Sequence, residues 1–196
     1  MKDNGPYRPL TYFQLMEVSL RELLVEKGVI TEAQIEEAVQ DMRRRTPERG
    51  ASVVARAWVD PQFKQRLLAD GPGACESLGI GVPKLRLVVV ENTPGVHNAI
   101  VCTLCSCYPR MLLGIPPDWY KSRNYRSRMV REPRSVLAEF GLNIPEEVQI
   151  RVHDSTADMR YMVLPMRPPG TEGWSEERLA SIVTRNAMIG VAVPAA

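Results

Sequence analysis

Aromatic side chains are scarce in this sequence, at 6% of 196 residues. A core must therefore be packed largely from aliphatic residues and nine methionines; at 44% hydrophobic residues there is enough apolar material for a sizeable one. A dominant charge sign is also missing. Twenty-five basic and 23 acidic side chains leave a net charge of +2, too little to create a broad field for a polyanion, and nucleic acid is not an expected partner. No apolar run approaches the roughly 20 residues that a membrane span requires, so no membrane association is expected. The opening residues Met1–Pro6 lack the apolar centre of an export signal, and the expected location is the cytoplasm. Cysteine is rare too, with four in the chain. These four are unevenly spread, and that unevenness is the sequence's main chemical feature.

Three of them, Cys102, Cys105 and Cys107, fall within Val101–Arg110 at Cys-x-x-Cys-x-Cys spacing. Thiolates are soft ligands that select transition metals. The two-residue gap lets Cys102 and Cys105 share one ion, and Cys107 adds a third sulfur. It also brings the main-chain nitrogens of Ser106 and Cys107 near the same centre. A strong trivalent ion could deprotonate and bind those amides, giving two nitrogen and three sulfur ligands with one octahedral position open. An open position separates catalytic metal sites from structural ones. Other readings stand beside this one. Cys75 or His97 could complete a structural zinc site, although neither lies at finger-like spacing. A disulfide fits poorly without an export signal, and a third cysteine without a strand-then-helix context argues against thioredoxin-like redox work.

The first half carries amphipathic helices and no chemical motif. Residues 1–10, with Gly5, Pro6 and Pro9, read as an extended arm. Leu15, Met16, Leu20, Leu23 and Leu24 predict a helix over Tyr12–Lys27 that stops at Gly28. Thr31 followed by Gln34 is a capping-box pattern opening a second helix to about Arg45. Pro47 and Asp60-Pro61 open two more, and Gly71-Pro72-Gly73 reads as a break. Cys75 reads as a small core residue, and the Arg43–Arg45 run as a solvated helix end. In the second half, Leu85–Val90, Asn98–Val101, Val148–Val152, Met159–Leu164 and Ala187–Val193 predict strands. Helices are expected from Pro133 and after Ser175, and proline-rich irregular chain surrounds the cysteines. His97 and His153 read as hydrogen-bonded structural residues. The arginines of Lys121–Arg134, interleaved with Tyr120 and Tyr125, suit ion pairs at a subunit interface.

The string Val-Cys-Thr-Leu-Cys-Ser-Cys at 101–107 resembles the metal-binding motif of the nitrile hydratase alpha subunit, and Thr103 and Tyr108 resemble its cobalt type. The likeness continues through Gly114–Ser122, Tyr125–Arg128, Val130–Arg134, Arg160–Pro165, Gly170–Ser175 and Ile189–Ala192, from about Glu91 to the end. The related thiocyanate hydrolase gamma subunit carries the same claw. The resemblance implies an α+β fold, with a helical arm over residues 1–80 meeting a partner subunit and a layered α-β-β-α catalytic domain over 81–196. It implies one trivalent cobalt per chain, iron being the lesser alternative, bound by Cys102, Cys105, Cys107 and the amides of Ser106 and Cys107. Cys105 would be a sulfinic and Cys107 a sulfenic acid, and these two would be the catalytic groups that hydrate a nitrile to an amide. The implied partners are a beta subunit, whole or split into two small chains, whose arginines pair with the sulfur oxygens, and a cobalt-loading accessory protein.

Two departures stand out. Arg110 and Met111 replace the family's usual tryptophan and proline, making Arg110 a candidate substrate-binding residue. Thiocyanate hydrolase has arginine at that place, so anion hydrolysis is an alternative function. Gly81–Leu85 replaces a common Pro-Gln-Gly loop. Short alpha chains of this kind occur in three-subunit nitrile hydratases, including one that acts on a nucleoside nitrile. A non-catalytic zinc module is the third expectation.

Overall fold

The computed structural model describes residues 9–82 and 86–196. The expected arm over residues 1–10 lies almost wholly outside them, as do Pro83–Leu85 and with them the start of the first expected strand. Two compact units divide at Arg43 and Arg44.

The first unit holds α1 (Tyr12–Glu26) and nearly all of α2 (Glu32–Arg44). Both begin with reciprocal caps. The Thr11 amide donates to Gln14 Oε1 at 2.8 Å while the Gln14 amide reaches the Thr11 hydroxyl. Thr31 and Gln34 repeat the arrangement, as their spacing predicts. Gly28, at φ 66°, ends the first helix in a left-handed turn. Neither helix buries a residue. Phe13 is 79% and Leu20 58% exposed, so among the described residues of this unit the stripe that periodicity assigns to a core is uncovered.

The second unit is built differently. Pro47 starts α3 (Pro47–Val59), whose Ala51, Val53, Val54, Ala55 and Ala57 are buried. Burying each valine contributes about 1.5–3 kcal/mol relative to exposure. Asp60 caps α4 (Pro61–Ala69) by accepting from the Gln62 and Phe63 amides. α4 ends at Ala69, just before the expected break, and Gly71-Pro72-Gly73 form the first turn of the short helix α5 (Gly71–Glu76), which Asp70 caps through the Gly73 amide.

Two parallel two-stranded sheets follow: β1 (Arg86–Glu91) pairs with β4 (Met159–Leu164), and β2 (Val96–Val101) with β3 (Gln149–Asp154). Parallel pairs need long crossovers. Here the crossovers contain α6 (Arg110–Leu113), α7 (Asp118–Lys121), α8 (Arg123–Met129) and α9 (Pro133–Glu139). Ser175 caps α10 (Glu176–Ser181), and α11 (Arg185–Ile189) lies near the end of the chain. α4 and α5 pack on β1, and α11 packs on β4. The sheets meet through β2 and β4, and α9 covers β3. The order is helices, sheet, sheet, helices, an α+β architecture.

Two sequence expectations change. The chain divides into compact units between Arg43 and Arg44 and not near residue 80, because α3, α4 and α5 bury their apolar faces within the second unit. The strand predicted over Ala187–Val193 is replaced by α11 and irregular chain. Thr184 caps the Ala187 amide, and Gly190 at φ 91° ends the turn after five helical residues.

A buried polar chain links the two sheets to the segment after α11. His97 Nε2 lies 2.8 Å from the Gly190 carbonyl, and its Nδ1 lies 3.3 Å from Asn92 Nδ2. Asn92 Oδ1 accepts from the Asn98 amide at 2.7 Å, and His153 Nε2 lies 2.9 Å from Asn98 Oδ1. One assignment satisfies every member: both histidines neutral with Nε2 carrying the proton. Burial lowers the pKa of both rings. The unfolded chain therefore takes up protons more readily, and stability present above pH of about 6.5 is lost as pH falls. The melting temperature should drop between pH 7 and 5 as the unfolded chain takes up these protons. His97→Gln should flatten that slope, as thermal melts across the range would register.

Candidate metal centre

β2 leads directly into the cysteines. Val101 pairs with Asp154 at the carboxyl end of the sheet, so the loop after Val101 leaves from a fixed point. Asp154 then holds the loop: Oδ1 accepts from the Thr103 amide at 2.9 Å and Oδ2 from the Thr103 hydroxyl at 2.5 Å. Arg126 Nη1 donates to the Thr103 carbonyl at 3.2 Å. Beneath the loop, Tyr120 donates to the Cys107 carbonyl at 2.9 Å and Tyr125 to the Ile100 carbonyl at 2.7 Å. Tyr108, Tyr120 and Tyr125 are buried and form edge-on and tilted ring contacts. Burial raises all three phenols far above their ordinary range, so they act as donors and not as anions.

Within this frame the three sulfurs converge. Cys102 Sγ is 3.4 Å from Cys105 Sγ, which is 3.1 Å from Cys107 Sγ. All four cysteines are free thiols, so no disulfide competes. Among the described residues these three form the one group of His, Cys, Asp or Glu able to converge on a single ion. Cys102 is buried, Cys107 partly buried and Cys105 exposed. The Cys105 thiol is lowered to about 7. Hydrogen bonds to its sulfur from Cys107 and then Cys102 are the main causes, with smaller contributions from the neighbouring main-chain amides. Cys107 is pushed up to about 12, chiefly by burial and then by its thiol neighbours. The protons are thus shared within one cluster, and a bound cation would displace them from all three.

The same turn carries the main-chain N–H groups of Ser106 and Cys107, the pair that a five-donor claw needs beside three sulfurs. The open side is a cavity of about 340 Å³ lined by Arg45, Cys105, Ser106, Cys107, Tyr108, Arg110, Met111 and Arg160. The residues fit a soft transition metal with one face accessible. They fit a closed tetrahedral zinc poorly. Cys75 is buried elsewhere, at α5, with its thiol pushed up to about 12 by burial, and His97 is committed to Gly190 and Asn92.

The structure brings together every site residue that the sequence singled out: Cys102, Cys105, Ser106, Cys107 and, at the cavity wall, Arg110. It adds Asp154, Arg45 and Arg160. Arg160 lay inside a recognised string without a role, Arg45 in a run read as solvated, and Asp154 carried no sequence signal. Asp154→Asn should weaken cobalt(II) binding by about tenfold, the scale of losing an outer-shell partner, with little change in melting temperature. Metal titration against a chromophoric chelator would measure it.

The ion pairs expected in Lys121–Arg134 are partly satisfied within the chain. Arg128 pairs with Glu132 and Glu139, and Arg134 donates to the carbonyls of Ile144, Pro145 and Val148. Among the described residues no helix is long and apolar enough to cross a membrane.

A profile of the nitrile hydratase alpha chain matches residues 11–192. The chain is 52% identical over 178 residues to the low-molecular-weight cobalt-containing nitrile hydratase subunit alpha of Rhodococcus rhodochrous, covering 90% of this chain and 86% of that one. It is 46% identical over 194 residues to thiocyanate hydrolase subunit gamma of Thiobacillus thioparus, covering 93% and 80%. Among solved structures, a double mutant of the Fe-type nitrile hydratase of Comamonas testosteroni Ni1 superposes with a TM-score of 0.89 at 45% identity, over 95% of this chain and 92% of that one.

Proposed function

The chain belongs to the nitrile hydratase alpha-chain family, and from that premise we propose that it is the alpha subunit of a cobalt-type nitrile hydratase that converts a nitrile to its amide. The observation that carries this is the convergence of the Cys102, Cys105 and Cys107 sulfurs, with Cys105 and Cys107 lining an open cavity. Cys102, the buried sulfur, would be the ligand on the protein side of the ion. Cys105 and Cys107 face the cavity and are the two positions where oxygen can be added, giving sulfinic and sulfenic acids. Trivalent cobalt in this claw would supply Lewis acidity toward a nitrile. Tyr108 and Met111 give the cavity an apolar wall, and Arg110 offers a donor at its rim. The likeness to a cobalt-containing subunit favours cobalt over iron.

The exposed faces of α1 and α2 are the surface proposed to meet the beta subunit, whether it is one chain or two. Phe13, Leu15 and Leu20 are too exposed for a free arm to leave uncovered. Arg110 favours one second reading, hydrolysis of thiocyanate, because a guanidinium in the cavity wall suits a small anion. The deciding experiment is to produce the chain with its partners and added cobalt, then assay a small nitrile, a nucleoside nitrile and thiocyanate. Amide with one cobalt per chain, a sulfinic acid at Cys105 and a sulfenic acid at Cys107 supports the proposal. Carbonyl sulfide from thiocyanate moves it to the second reading. Zinc with unmodified thiols sinks both.

A further inference from the structure

Among the described residues Arg160 is a guanidinium without an acid. It stands second in β4, opposite Leu87. Its Nη1 donates only to the adjacent Met159 carbonyl, at 3.3 Å. Its Nε is shut off from solvent and has no hydrogen-bond partner among the described residues. Burying such a donor unpaired is unfavourable, more so when it carries charge. Arg126 and Arg185 also have an unpartnered Nε, but their guanidiniums reach the carbonyls of Thr103 and Ile115. Arg160 instead lines the cavity that Cys105, Ser106 and Cys107 open into. Its positive charge opposes the burial that keeps the Cys107 thiol protonated.

We propose that Arg160 is the chain's own counter-charge for the sulfur cluster, pairing through its unused N–H groups with Cys107 once that sulfur is an anion or carries an oxygen. A guanidinium suits this position because it stays charged when partly buried and presents donors in a fixed fork. It is a positioning residue: it acts on the ligand sulfur and not on substrate. The site's negative charge is thereby partly compensated within one subunit, before any partner contributes. This rests on the three cysteines holding a metal, and on neither the identity of that metal nor the reaction.

The test uses the full chain with its co-purifying partners, produced without added cobalt and stripped with a chelator. Parent, Arg160→Gln and Arg160→Lys are titrated with cobalt(II) and separately with zinc(II) against a chromophoric competitor. Losing a nearby opposite charge should weaken both metals by about tenfold or more in the glutamine variant, and lysine should restore part of the loss. Melting temperatures of the metal-free proteins should coincide, since Arg160 bonds only to its own strand neighbour. Unchanged affinities in the glutamine variant would overturn the proposal. So would a lowered melting temperature with no rescue by lysine, which would mark a structural residue. A parent that binds zinc but not cobalt would overturn the cobalt assignment alone, and the zinc series would still judge Arg160.

Discussion

Serine in place of Cys107 should leave the complex without cobalt and without activity. Cys107 is one of three side-chain donors converging on the site, and its neighbours Cys105 and Ser106 depend on the same turn. A hydroxyl is a poor substitute for a thiolate toward a soft or borderline ion. Loss of an outer partner already costs about 10–100-fold in affinity, so removal of a ligand should cost more, and cobalt per chain should fall to near zero. Metal-ion catalysis supplies several kcal/mol of transition-state stabilisation, so turnover should drop by at least about 10³-fold. Cys75→Ala is the internal control. That thiol is fully buried beside α5 and away from the cavity, and its loss should leave cobalt content unchanged while slightly lowering the melting temperature. Cobalt analysis and a steady-state assay on both variants check the prediction. A Cys107→Ser complex that retains full cobalt would remove the claw as the metal site.

Gly190→Ala should cause the largest loss of stability of any glycine-to-alanine change among the described residues. Gly190 ends α11 at φ 91°, and a Cβ there would lie 2.1 Å from the Asn98 carbonyl oxygen and 2.7 Å from the Ala99 Cα. Both belong to the backbone of β2, which is paired along its length with β3 and cannot step aside. The Gly190 carbonyl also holds His97, so relief by moving the turn breaks the buried polar chain. A left-handed alanine costs roughly 1–2 kcal/mol by itself, and the backbone overlap should take the total beyond about 3 kcal/mol. At about 2–4 °C per kcal/mol for a chain of this size, the melting point should fall by around 10 °C. Gly170→Ala isolates the conformational part. It has φ 79° and open space around it, so it should lose only the smaller amount. Equal melting points for the two variants would show that the close approach at Gly190 is unimportant.

What could be read from the sequence depended on how far apart the interacting residues lie. Thr31 with Gln34, Asp60 before Pro61 and Ser175 before Glu176 are local signals, and each cap forms where its spacing places it. The cysteine cluster is local too, and its convergence follows from a six-residue segment. Amphipathic periodicity identifies a face without saying what covers it. Leu20 and Val54 lie on similar stripes, yet Val54 is buried within the chain and Leu20 is exposed, which is why the boundary expected at residue 80 falls at 43. The apolar run Ala187–Val193 has strand composition, but Gly190 and the Thr184 cap turn it. Asp154 and Arg160 reach the cysteines only through parallel strand pairing across distant sequence. No local pattern encodes that pairing.

That pairing also orders events during synthesis. Thr103 and the Asp154 carboxylate that steadies it are 51 residues apart, and β1 must await β4, which is made later still. The ribosome therefore releases the three thiols well before either sheet can close. Long-range parallel pairing forms slowly, so the nascent loop passes through a period with its sulfurs bare and its anchor unmade. Metal acquired in that interval would meet an unshaped chelator. Faithful loading belongs after translation, once residues beyond Leu164 have emerged and the cysteines have been drawn into register.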